Sequence, residues 1–225
     1  MSRQAEFQTQ SSNPTKYYFE WKSDDKTFAY YDKEKKENVK IELPFKFLTL
    51  MEFHTIKGWN DKNQSGVYSN EVKSIGNDEI NVRLFKGNQS VKGIYKDIKE
   101  TIVAMGGHYT KSIYIMLESG EIANVNIKGS SVQSWGDFTQ KSRSRLSDEW
   151  IQVSNAIELK KGKVEYSIPE FKFAHTLSAD QAIQADNAYN ELRKYIDSYL
   201  AKSIEVIEDE EVSVEDIFCD NFFII

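Results

Sequence analysis

The chain has 225 residues, with 29 Lys+Arg against 35 Asp+Glu and a formal net charge of −6. A hydrophobic fraction of 40%, including 13 Phe, 12 Tyr and 4 Trp, excludes wholesale disorder, and a single cysteine, Cys219, excludes a disulfide framework or a Cys-rich zinc site. No apolar run reaches the ~18 residues of a membrane span, and Met1-Ser2-Arg3-Gln4-Ala5-Glu6 lacks the apolar stretch of a signal peptide, so the sequence predicts a soluble, cytoplasmic chain.

Residues 1–15 are polar, close on Asn13-Pro14 and read as a flexible arm. From Lys16 the pattern turns to period two. Tyr17, Phe19 and Trp21 alternate with polar partners, Asp24-Asp25 supplies a turn, and Phe28 to Tyr31 returns as the next strand. Val39, Ile41 and Leu43 alternate again before Pro44, and an aromatic-rich run from Phe45 to Trp59 predicts a long strand that leaves the core near Gly58. Further strands are expected at Val67–Ser74, Ile80–Lys86, Thr101–Met105, Lys111–Leu117 and Glu121–Ile127, the last two joined by a tight turn at Glu118-Ser119-Gly120. Two short helices are expected, one over Val91–Glu100 with Ile94, Tyr95 and Ile98 on one face, and one over Ser130–Gln140 with Val132, Trp135 and Phe138 three apart. A hairpin of Ala156–Leu159 and Val164–Ile168 turns at Lys160-Lys161-Gly162-Lys163. Ser178 and Gln181 fit a capping box opening a longer helix, whose apolar face is read as Ile183, Tyr189, Leu192, Ile196, Tyr199 and Leu200. The expected fold is mainly β, a β-barrel of OB type, with one or two short helices, a C-terminal helix over 178–203 and a flexible acidic tail over 204–225 behind a binding domain at 16–177.

Catalytic constellations are scarce. The three histidines, His54, His108 and His175, have no metal-ligand spacing with one another or with Cys219, no phosphate-binding loop or nucleophile elbow is present, and neither cofactor nor metal site is expected. The carboxylates are scattered through the body, which leaves a metal-dependent nuclease as a minor alternative. The chain reads as a non-enzyme.

The charge is unevenly placed. From Glu205 to Ile225 there are eight acids and no Lys or Arg, so the rest of the chain carries +2. The tail ends on an apolar tip, and Asp216, Phe218, Asp220, Phe222, Phe223, Ile224 and Ile225 form its candidate partner-binding segment. Two readings of that tip compete, a final strand packed on the core and, favoured here, a peptide presented to partner proteins within a tail that also competes with nucleic acid for the basic groove. The stretch Lys57–Lys111 has nine cations against six acids, interleaved with Trp59, Tyr68, Phe85, Tyr95 and Tyr109. Cations that track phosphates and rings that stack on unpaired bases are what single-strand binding requires. The candidate DNA-binding residues are therefore Lys57, Trp59, Lys62, Tyr68, Lys73, Arg83, Tyr109 and Lys111, extended by the basic cluster Lys141, Arg143 and Arg145. Buried strand aromatics are the competing explanation for each ring, and solvated strand faces for each lysine.

Three segments carry a family resemblance: Phe53-His54-Thr55-Ile56-Lys57-Gly58-Trp59-Asn60 with its continuation to Val72, Ala104-Met105-Gly106-Gly107-His108-Tyr109 with its continuation to Tyr114, and Lys160-Lys161-Gly162-Lys163-Val164-Glu165-Tyr166. Together they resemble the single-stranded DNA-binding proteins of tailed bacteriophages, over roughly residues 16–200. The resemblance implies an OB fold, non-catalytic coating of single strands in replication or recombination, and recruitment of replication or recombination proteins through the acidic tail. The tail departs from the bacterial pattern, ending Phe222-Phe223-Ile224-Ile225 without proline, so a phage-encoded partner is the expectation. A structural or protein-interaction module, such as a virion component or host-takeover factor, is the rival reading. A homo-oligomer is left open.

Overall fold

A computed structural model describes residues 13–205; the arm up to residue 12 and the candidate tail residues Asp216, Phe218, Asp220, Phe222, Phe223, Ile224 and Ile225 lie outside the described residues. The chain is mainly β, with eleven strands and three α-helices among the described residues. Strands β1 (Thr15–Lys22), β2 (Thr27–Asp32) and β3 (Glu37–Lys40) form a meander. The long β4 (Phe45–Asn60) precedes β5 (Ser65–Ser69), β6 (Glu79–Leu84) and β7 (Ser90–Ile94), and helix α1 (Tyr95–Ala104) leads into the hairpin β8 (Gly107–Leu117) and β9 (Ile122–Lys128). Helix α2 (Ser130–Gln140), the hairpin β10 (Glu149–Lys161) and β11 (Val164–Thr176), and helix α3 (Ala179–Glu205) complete the order.

The main path of the sheet runs β3-β2-β1-β9-β8-β4-β5-β6-β7, and among the described residues its only parallel pairing joins β1 to β9. Its two ends, β3 and β7, are not paired with each other, so the sheet is not closed and the strand order does not confirm an OB-type barrel. β4 is long enough to serve three partners. β8 follows one edge from Phe47 to Gly58, while the other edge is shared by β10 at Phe45–Phe47 and β5 at Lys57–Asn60.

A register shift between Thr49 and Met51 decides which side chains of β4 face which helix. Phe45 and Phe47 enter a core under α2, with Phe19, Phe28, Ile113, Val125 and Trp135. Leu48 and Met51, three apart, both enter a second core under α3, with Phe53, Tyr114, Met116, Trp150, Leu192 and Ile196. A third core gathers Ile56, Val67, Ile80, Val82 and Leu84 beneath Ile102 and Met105 at the end of α1. Cross-strand aromatic pairs fix the first meander: Phe19 stands edge-on to Tyr30 at 5.7 Å, and Trp21 to Phe28 at 5.1 Å.

Two local expectations differ from the fold. Residues 90–94 form a strand, not the start of a helix, because each has a partner on β6 from Arg83↔Ser90 to Glu79↔Ile94. The β-branched run Thr101-Ile102-Val103, read as a strand, is the last part of α1, where Ile102 is buried and Val103 faces out. Tertiary packing of one apolar face overrides a weak propensity here. The capping box of α3 forms as expected: Gln181 N–H donates to Ser178 Oγ at 3.3 Å and Ser178 N–H to Gln181 Oε1 at 3.0 Å. Its buried face, however, is Ala185, Ala188, Leu192 and Ile196, while Ile183 and Tyr189 are exposed. Alanines at two of these positions allow the helix axis a close approach to the sheet.

Candidate nucleic-acid interface

Side chains alternate across a strand, so register decides which candidates can meet. Lys57 lies opposite Tyr68, and Tyr68 opposite Arg83, so these three form a row across β4, β5 and β6 on one face. Trp59, two residues on, shares that face opposite Gly66. Tyr109 and Lys111 pair with Ile56 and His54, and therefore stand on the other face. The pleat divides the candidates into two groups.

On the first face, Trp59 is 37% exposed and Lys62 is exposed in the adjacent turn. Asn60 pins that turn, donating Nδ2–H to Met105 O at 2.9 Å and accepting Asn63 N–H on Oδ1 at 2.8 Å. The Tyr68 ring is buried, with 3% exposure, and presents no stacking surface, while Arg83 is half-buried. Lys57 is half-buried, with its ammonium 5.8 Å from the Tyr18 ring centre. Burial pushes its pKa down to about 8 against the opposing pull of Glu71 and Glu20. The Glu71 carboxylate accepts the Tyr114 hydroxyl at 2.9 Å, and burial pushes its own pKa up. Deeper on this face, Asn124 Nδ2–H donates to Ser112 Oγ at 2.7 Å, whereas Asn124 Oδ1 and both amide atoms of Asn126 have no hydrogen-bond partner among the described residues.

The state of Lys57 gives a testable pH dependence. Between pH 8 and 10 the unfolded chain keeps this proton while the folded chain has lost it, so stability contributed at this position rises with pH. Relative to Lys57→Met, the wild type is expected to gain on the order of 1–2 kcal/mol across that window. Above pH 10, burial of the Tyr18 and Tyr114 hydroxyls, which raises their pKa values, turns the trend downward. Urea unfolding of both proteins at half-unit pH steps measures the difference, and a constant gap would count against a buried charge at Lys57.

The second group meets at the open edge of β4, between its pairing with β10 and the isolated bridge His54↔Val72. A cleft of about 660 Å³ lies there, lined among others by Glu52, His54, Lys73, Lys111, Arg143 and Tyr189. The Lys73 ammonium sits 3.7 Å from the Phe53 ring centre. Glu52 divides its carboxylate: Oε1 accepts the Trp135 indole N–H at 2.6 Å, while Oε2 lies 3.4 Å from Lys111 Nζ and 3.7 Å from Arg143 Nη2. Two basic segments far apart in sequence thus converge on one carboxylate.

His54 Nδ1 and the Tyr109 hydroxyl are 2.6 Å apart, and the two rings stack at 5.8 Å. Tyr95 follows at 5.9 Å from Tyr109, which makes an aromatic line leading to the cations. Burial, reinforced by Lys111, holds His54 below the ordinary imidazole value, with Glu52 and Asp78 opposing and Arg143 adding to the shift. The Tyr109 hydroxyl is pushed up to about 12, chiefly by burial. Arg145 is committed to Glu149 through two bonds of 2.5 and 2.6 Å and lies 4.0 Å from the Phe173 ring centre, while Lys141 is exposed beyond α2.

Lys73, Lys111 and Arg143 therefore meet, with Tyr109 beside them; Lys57, Trp59, Lys62, Tyr68 and Arg83 belong to the opposite face and its rim. The sequence reading missed Glu52, His54 and Trp135 as parts of this site. The alternation Glu52-Phe53-His54 puts both polar residues on one face, but their meeting with Lys111 depends on the β4–β8 register.

Among the described residues no group of three or more His, Cys, Asp or Glu side chains could hold a metal ion, and no helix is long and apolar enough to cross a membrane. No family model, curated protein or solved structure matches the chain.

Proposed function

We propose that this protein binds single-stranded DNA without strong sequence preference and has no catalytic role. The observation that carries the reading is the convergence of Lys73, Lys111 and Arg143 on one cleft that His54 also lines, with the half-buried rings of Tyr109 and Tyr95 continuing from His54. Cations spaced around an open edge suit successive phosphates, and a line of rings suits unstacked bases, each worth ~1–3 kcal/mol regardless of base identity. This needs no closed OB-type barrel, only an open sheet edge at which cations gather, Lys111 and Arg143 on the His54 side and Lys73 over Phe53 on the α3 side. In the same reading the protein coats single strands during phage DNA replication or recombination. The eight acids from Glu205 onward compete with phosphates, and the apolar tip recruits replication proteins.

The test is fluorescence anisotropy of a labelled single-stranded oligonucleotide with the full chain, across a salt series. Wild-type binding is expected to weaken steeply with salt. The double variant Lys111→Gln/Arg143→Gln should bind about 10-fold more weakly at low salt, and its log–log salt slope should be shallower by about 1.4, near 0.7 per lost phosphate contact. A chain ending at Ser203 should bind more tightly than the full chain at low salt, where screening is weakest. Wild-type binding that is absent or insensitive to salt would sink the proposal and favour the protein-interaction module.

A further inference from the structure

Resting on that reading of the cleft, we propose that Glu52 is a built-in occupant of the phosphate site: its carboxylate stands where an incoming phosphate engages Lys111 and Arg143, and it sets the affinity of the site. Among the described residues lining the cleft, Glu52 is the one carboxylate, against the three cations Lys73, Lys111 and Arg143. Its position is fixed from behind. The buried indole of Trp135, on α2, donates to Oε1 at 2.6 Å and leaves Oε2 as the oxygen turned toward the cations.

The separations from Oε2, 3.4 Å to Lys111 and 3.7 Å to Arg143, exceed the 2.7–2.9 Å of a tight charge-assisted hydrogen bond. Both cations are thus held close to their carboxylate without being saturated by it. The Arg143 side chain is largely exposed and has room to turn toward a ligand, whereas Lys111 and Glu52 are mostly covered. A phosphate entering the cleft gains these two donors only by sharing them with Glu52. The carboxylate itself cannot swing away without breaking the bond to Trp135. The same arrangement disfavours weakly charged anions, because one negative charge already offsets part of the field of the three cations.

Glu52→Gln removes the charge and keeps an oxygen able to accept from Trp135. Anisotropy with the labelled oligonucleotide, and its displacement by inorganic tripolyphosphate, compare this variant with the wild type in the full chain. The variant is expected to bind the oligonucleotide about 5-fold more tightly at low salt, with a salt slope steeper by about 0.7, and to be displaced by lower tripolyphosphate concentrations. Glu52→Met, which removes the charge and the acceptor together, should also gain affinity as long as its thermal unfolding matches the wild type. A folded Glu52→Gln protein that binds as the wild type does, or more weakly, overturns the occupancy of the site while leaving DNA binding in place. No binding of either anion by wild type and variant alike overturns both.

Discussion

Replacing Gly58 by alanine is expected to destabilise the protein by about 3 kcal/mol, at the upper end of what overpacking costs. A Cβ on Gly58 would lie 2.0 Å from the carbonyl oxygen of Gly106, and 2.9 Å from Gly106 C and Gly107 Cα. All three are backbone atoms, and none can turn aside as a side chain would. Gly106 is itself constrained, since it has φ +84° and its own Cβ would meet Trp59 O at 2.1 Å. Relief by moving the segment would break the bond from Trp59 N–H to Gly106 O. The chain therefore needs glycine on both sides of this crossing, where β4 ends against the junction of α1 and β8. Gly76, where a Cβ would have no described neighbour within 4 Å, is the matched control, and Gly76→Ala should stay within about 0.5 kcal/mol of the wild type. Urea unfolding followed by circular dichroism reads both. A Gly58→Ala protein as stable as the control would mean that the crossing is looser than described.

Leu192→Ala is expected to cost about 3 kcal/mol, within the 2–5 kcal/mol typical of such truncations in a core. Leu192 is fully buried midway along α3, in the core that Leu48, Met51, Phe53, Tyr114, Met116 and Trp150 form on the sheet. The same core makes α3 part of the folded body, where its sequence pattern alone does not decide between packing on its own chain and a dimer contact. Ile183→Ala, at an exposed position on the same helix, should change stability by less than about 0.5 kcal/mol. Chemical denaturation should show a single transition that shifts as a whole for Leu192→Ala. Loss of helical signal in a separate early step, with the sheet unaffected, would make α3 an appendage.

Legibility from the sequence followed the strength of the local signal. Tyr17, Phe19 and Trp21 alternate cleanly, and the strand they predict is β1; the Phe45–Trp59 run corresponds to β4 within a residue. Helix α2 matches its expected bounds because Val132, Trp135 and Phe138 repeat at helical spacing and nothing competes. The buried face of α3 was legible in part: Leu192 and Ile196 are buried as expected, but Ala185 and Ala188 are small enough to look neutral, while Ile183 and Tyr189 look apolar and are exposed. Composition could gather Lys57 and Lys111 into one basic stretch, but it could not say that β4–β8 pairing sets them on opposite faces of the sheet. The buried state of Tyr68 was equally hidden, because an aromatic in a strand has the same letter whether it packs or stacks. What the sequence could not supply was register, which brings Glu52 and Lys111 together, and the return of the segment after α2, which brings Arg143 to them.

The parallel pairing of β1 with β9 also bears on how the chain comes to be folded during its synthesis. About a hundred residues separate Lys22 at the end of β1 from Ile122 at the start of β9. At the usual 5–20 residues per second, the first hairpin waits about 5–20 s at the ribosome for its neighbour. During that wait Tyr17, Phe19, Trp21, Phe28 and Tyr30 can gather Ile41, Leu43, Phe45 and Phe47, but they lack β9 and the later part of their core, Ile113, Val125, Trp135 and Phe171. Docking of β1 is then a late event, gated by translation and by closure of a long loop. The N-terminal meander is thus the part of the protein most exposed to chaperones, proteases and unwanted strand pairing before the fold is complete.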